Sequence, residues 1–200
     1  MSRSRRLVIL LLANLALVAG LLVTGLVARS LSVFAEGADY LVDAVAIGLS
    51  LLAMRLGAPS ATRPTGRPRL TNYAAAANGA WLLVLSLLLA AGAAYRLVTG
   101  TRQVHGLPVL VVSAVAAAVM LAGGLLLGAE AEKDDLGLRA ILLDTFGDAA
   151  VATGVATTGA VIFATGGLYW LDPAVALVVS LVVAYQAFEL LGQVSRALAS

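Results

Sequence analysis

Residues 7–28 read LVILLLANLALVAGLLVTGLVA, a run with one amide, one threonine and no charge. A spanning helix needs roughly 20 mostly apolar residues, each adding about 1.5 Å. This stretch alone meets that requirement. Arg3, Arg5 and Arg6 precede it, and Ala28-Arg29-Ser30 follows with a small-x-small pattern. A secretory signal looks similar at both flanks, but its apolar core is only about 7–15 residues long. The run is therefore expected to stay as a first transmembrane helix.

The same apolar pattern recurs along the chain. Helices are expected over residues 7–28, 32–54, 73–98, 107–127, 136–165 and 170–191. The fold class is all-α: a polytopic membrane protein of six transmembrane helices, organised as one domain over residues 1–200. Of its 200 residues, 61% are hydrophobic and 12% charged, about half the charge of an ordinary soluble domain. Connections are short except Gly57–Asn72, where Pro59, Pro64, Gly66 and Pro68 mark an irregular loop. A second loop, Ala129–Gly137, is acidic with one lysine. Gly166-Gly167 and Pro173 mark the last turn, and Asp172 before Pro173 reads as the N-cap of the last helix.

Loop arginines and lysines set orientation. With six spans, one side receives Arg3, Arg5, Arg6, Arg55, Arg63, Arg67, Arg69, Lys133, Arg139 and Arg196, and the other only Arg29, Arg96 and Arg102. Both termini are therefore expected in the cytoplasm. The net charge of +2 belongs to these loops and implies no nucleic-acid partner. There is no cysteine, which excludes disulfides, cysteine-held iron–sulfur clusters and thiolate zinc sites. A single histidine, His105, excludes a histidine-rich metal loop.

The informative residues are acids inside the spans. The second helix carries Asp39 and Asp43, and the fifth carries Asp144 and Asp148. Each pair is spaced i, i+4, so both carboxylates share one helix face. An ionised aspartate at a helix centre costs roughly 2.5–3.5 kcal/mol even on the lenient insertion scale. Counted from the cytoplasmic ends, Asp144 lies roughly 12 Å deep, Asp43 and Asp148 roughly 17–18 Å, and Asp39 roughly 23 Å. The pairs overlap near the midplane if the two helices are neighbours. No Lys, Arg or His stands in the middle of any span, so pairing with a base buried at mid-span is not expected. A divalent cation fits: carboxylate oxygens offset its charge, and oxygen suits hard and borderline cations. Metal and protons then compete for the same oxygens, as proton-coupled exchange requires. Glu36, one turn before Asp39, is an accessory candidate. Asn14 and Asn78 are assigned to helix packing. Small residues such as Gly79, Ala116–Ala118, Gly147, Gly154 and Gly159 suit close helix approach in lipid.

In this order and spacing the residues resemble the cation diffusion facilitator family, which exports divalent metals by proton antiport. The resemblance covers nearly the whole chain. Its carriers are Phe34-Ala35-Glu36-Gly37-Ala38-Asp39-Tyr40-Leu41-Val42-Asp43 and Leu138-Arg139-Ala140-Ile141-Leu142-Leu143-Asp144-Thr145-Phe146-Gly147-Asp148. Supporting matches are Arg69 with Asn78, His105-Gly106-Leu107-Pro108, and Trp170-Leu171-Asp172-Pro173. Family members carry an acidic or histidine ligand followed four residues later by aspartate in helices 2 and 5. The resemblance thus implies metal ligands at Asp39, Asp43, Asp144 and Asp148. Zinc members commonly place histidine where Asp39 and Asp144 stand. The family's histidine-rich loop is replaced by Glu130-Ala131-Glu132-Lys133-Asp134-Asp135.

The expectation is a multi-pass protein of the cell membrane that exports divalent metal, zinc or manganese foremost, with iron, cobalt and cadmium as lesser substrates. Protons are the counter-ion and the lipid bilayer the medium. No enzyme activity, catalytic residue or bound cofactor is expected. Most members continue into a cytoplasmic domain that drives dimerisation, whereas this chain stops at Ser200. A short form with a weak homodimer held by membrane helices is therefore expected. Two alternatives use the same fold: a non-transporting membrane subunit and a carboxylate-lined cation channel.

Overall fold

The computed structural model describes residues 3–55, 68–129 and 136–199. Among them there are six helices and no strand: α1 (Arg3–Ala28), α2 (Leu31–Arg55), α3 (Pro68–Thr99), α4 (Gly106–Ala129), α5 (Leu136–Thr165) and α6 (Leu171–Ala199). Five contain long apolar windows able to cross a bilayer, with mean hydropathy from 1.4 to 2.3. The sixth, α2, has 25 residues and packs among them. The chain is an all-α polytopic membrane protein.

Several boundaries differ from the sequence reading, among them the start of α1 at Arg3 rather than residue 7. α3 begins at Pro68 rather than residue 73, because proline is tolerated in a first turn, where its missing N–H has no partner to lose. Residues 68–72 are thus helix, and the remainder of the expected loop lies outside the described residues. Likewise Ala129 closes α4 and Leu136-Gly137 opens α5; the acidic segment between them lies outside the described residues. α6 runs on to Ala199 instead of ending at 191. Backbone hydrogen bonding carries a helix past the hydrocarbon layer when no breaker intervenes, and Gly192 alone does not stop it.

Two cores hold the bundle. The larger joins α1 (Val18, Leu21, Ala28), α2 (Val33, Tyr40), α4 (Val109, Ala116, Ala117) and α5 (Ala152, Val155, Ile162). The smaller packs Ala35 of α2 on Val179 and Val183 of α6, with Leu89 of α3 and Val151 of α5 against it. α2 takes part in both and touches α1, α3, α5 and α6.

Glycine sets the closest approach. A Cβ on Gly106 would lie 2.5 Å from the Phe163 nitrogen and 2.6 Å from the Gly159 oxygen. One on Gly159 would lie 2.5 Å from the Leu110 nitrogen. The backbones of α4 and α5 therefore touch at this crossing, which is how small residues bring helices together in lipid. Threonines in α5 are satisfied within the helix: Thr153, Thr157, Thr158 and Thr165 each donate to the carbonyl four residues earlier, at 2.7–3.0 Å.

The α1–α2, α3–α4 and α5–α6 turns lie at one end of the bundle, here called the turn end. Arg29 (φ 59°) and Gly166 (φ 58°) make left-handed turns there. The His105 N–H donates to the Ala28 carbonyl at 3.1 Å, and Arg96 Nη1 donates to the Arg29 carbonyl at 3.0 Å. Exposed His105 is thus a connecting residue between α3 and α4.

Candidate metal centre between α2 and α5

Both aspartate pairs lie on continuous helix, so their i, i+4 spacing places each pair on one face. α2 and α5 are in contact. Asp39 and Asp148 are half-buried, while the side chains of Asp43 and Asp144 lie outside the described part of the structure. The described side chains by themselves form no group of three or more metal-ligating residues.

Contacts between helices fix the relative levels of the four positions. Gly106 meets Gly159 and Phe163, so the start of α4 is level with about residue 161 of α5. Ser113 of α4 donates to Glu36 Oε2 of α2 at 2.5 Å, so Ser113 and Glu36 are level. Measured along the axes from Gly106 at 1.5 Å per residue, Ser113 and Glu36 lie at about 10 Å. Asp39 follows at about 15 Å and Asp43 at about 21 Å, against about 20 Å for Asp148 and about 26 Å for Asp144. Asp43 and Asp148 are thus at one depth, flanked by Asp39 toward the turn end and Asp144 away from it.

Glu36 is only 1% exposed. Its Oε2 takes the Ser113 bond, and its Oε1 has no hydrogen-bond partner among the described residues. It therefore sits about 5 Å closer to the turn end than Asp39, inside the helix packing. Ser113 has no local signal, since its partner is 77 residues away in sequence.

A second polar centre departs from the sequence reading. Asp172 is fully buried, lies inside the first turn of α6 rather than before it, and caps α2 instead. Its Oδ1 accepts from Ser30 Oγ (2.6 Å), Ser32 Oγ (2.6 Å) and Ser32 N (3.2 Å), and its Oδ2 accepts from Leu31 N (2.8 Å). Ser30 Oγ in turn accepts from the Val33 N–H at 3.2 Å. A helix's first N–H groups lack intrahelical partners and carry positive potential. Those of α2 are met by a carboxylate from α6, which ties the site helix to its neighbour.

Residues 7–199 match the family described as the cation efflux transmembrane domain. The chain belongs to that family. It is 27% identical over 192 residues to the zinc transporter ZitB of Pectobacterium atrosepticum, covering 94% of this chain and 59% of the relative. It is 26% identical over 194 residues to the zinc transporter ZitB of Yersinia pestis, covering 95% and 61%. The chain thus spans about 60% of the length of these curated relatives.

Proposed function

We propose that this chain carries divalent metal ions out of the cytoplasm in exchange for protons, using Asp39, Asp43, Asp144 and Asp148 as ligands. The observation that carries the reading is the shared depth of Asp43 and Asp148 on two helices in contact, each with a second aspartate one turn away. The family membership and the zinc transporters among the relatives support it. The arginine bias places the termini and the α2–α3 and α4–α5 connections in the cytoplasm, and the turn end outside.

Asp144, nearest the cytoplasmic side, meets incoming metal first. Asp43 and Asp148 close around the ion at the midplane, and Asp39 completes the set. The carboxylate oxygens replace part of the ion's water shell and offset its charge. When the helices rearrange to open outward, as carriers with midplane sites do, protons reload the carboxylates and expel the metal. Glu36 lies on the outward route as an accessory group. Zinc and manganese are the foremost substrates: the relatives' names favour zinc, and the all-oxygen ligand set favours manganese and similar ions.

The test is metal uptake into vesicles holding the purified chain, with zinc and manganese in parallel. Saturable uptake that accelerates with an opposing pH gradient is expected. Unsaturable flux indifferent to the gradient would identify a channel, and no flux with either metal would identify a non-transporting subunit.

A further inference from the structure

At the turn end, α3 and the start of α2 enclose an open groove of about 520 Å³ lined by Leu31, Gly92, Tyr95, Arg96, Thr99 and Arg102. Its lining contains two guanidinium groups and no acid. Arg96 spends one N–H on the Arg29 carbonyl, and its side chain makes no other hydrogen bond among the described residues. Among the described residues Arg102 donates no hydrogen bond within the protein, and it is exposed. Asp172 stands in the neighbouring turn, but it is fully buried and already accepts bonds from α2. The groove is therefore a positive concavity with spare donors.

Its surroundings decide what kind of anion it takes. Arg96 lies in the last turn of an apolar span, at the level where headgroups meet hydrocarbon. Tyr95, 69% exposed, stands beside it, as aromatic residues do at that interface. From the groove an exposed apolar stripe runs down α3 through Val98, Tyr95, Leu88 and Val84. These spacings of three, seven and four residues keep one helix face. The stripe is about 21 Å long at 1.5 Å per residue, enough to carry an acyl chain. A soluble anion would use the arginines alone, whereas an anionic phospholipid uses both the arginines and the stripe.

We infer that this groove binds an anionic phospholipid, its headgroup phosphate between Arg96 and Arg102 and an acyl chain along α3. Guanidinium suits phosphate because its planar fork donates two parallel bonds. The assignment rests on the membrane reading and is independent of which metal the aspartates carry.

The experiment is native mass spectrometry of the full chain released from detergent, with phosphatidylglycerol, phosphatidylcholine or inorganic phosphate added. Wild type is expected to retain phosphatidylglycerol in preference to phosphatidylcholine. Arg102→Gln, which leaves the Arg96–Arg29 bond intact, should weaken that retention about five-fold, matching ~1 kcal/mol per arginine near an anionic surface. Arg96→Gln combined with Arg102→Gln should weaken it about 25-fold by the same constant, and Arg196→Gln at the opposite end should change nothing. Equal retention of the two lipids, or an unaltered double variant, would overturn the assignment. So would displacement of the lipid by equimolar inorganic phosphate, or a lipid-free dimer formed through this face.

Discussion

Replacing Asp172 by alanine tests the tie between α6 and α2. The carboxylate accepts four hydrogen bonds, two from hydroxyls and two from backbone N–H groups of α2. After truncation Ser30 and Ser32 still have each other, their oxygens being 3.1 Å apart. The N–H groups of Leu31 and Ser32 have no such substitute, the first in a part-buried position and the second in a buried one. A buried donor left without its partner costs about 1–3 kcal/mol; the part-buried Leu31 N–H lies at the low end of that range, so the two cost about 2–4 kcal/mol before any change in packing. Had Asp172 merely capped its own helix, the loss would be about 1 kcal/mol. Unfolding in mixed micelles with increasing dodecyl sulfate measures the difference. Asp172→Ala should lose about 3 kcal/mol by the same reckoning. The double change Ser30→Ala and Ser32→Ala should lose less, because both backbone bonds remain. A loss near 1 kcal/mol for Asp172→Ala, or a serine double variant as damaged as Asp172→Ala, would refute the reasoning.

Three further outcomes follow from the site and the packing. Gly159→Ala should destabilise the protein by several kcal/mol in the same unfolding assay, since overpacking costs about 1–3 kcal/mol even where side chains rather than backbones must yield; Gly154→Ala, where a Cβ meets nothing within 4 Å, is the matched control and should be near neutral. Asp144→His should raise the ratio of zinc to manganese transport, because imidazole nitrogen suits zinc while carboxylate oxygen suits manganese; competitive uptake at one pH reads the ratio, and an unchanged ratio with transport retained would remove residue 144 from the ligand set. Cysteines placed at Thr65 and Thr101 should label from opposite faces of the membrane, with Thr101 on the outside, and labelling from one face would contradict the arrangement of spans.

The six helices were legible because lipid leaves the backbone few alternatives: polar groups must be satisfied internally, so a long apolar run is a helix. α5 was read from Leu136 to Thr165 to the residue. α6 was cut short at 191 because apolarity ends where the hydrocarbon does, whereas hydrogen bonding carries the helix to Ala199. The aspartate pairs stood out because charge is costly at that depth, and the depth count already placed Asp43 level with Asp148. The bond between Ser113 and Glu36 was invisible, since one serine in an apolar run has no periodicity of its own. Asp172 beside Pro173 carried the local mark of a helix start, and α6 does start there. Its actual partners lie 140–142 residues away, a pairing that only tertiary packing creates. Gly106 and Gly159 were equally unremarkable among many small residues until the α4–α5 crossing brought their backbones together.

The central claim is that carboxylates at one depth on α2 and α5 hold the transported ion. Its most direct test is zinc and manganese uptake into vesicles by Asp43→Ala and Asp148→Ala, each checked for wild-type-like unfolding in micelles. Both variants are predicted to fold and to lose uptake of both metals, because water cannot readily replace a ligand at the midplane. Normal uptake by either folded variant would contradict the account.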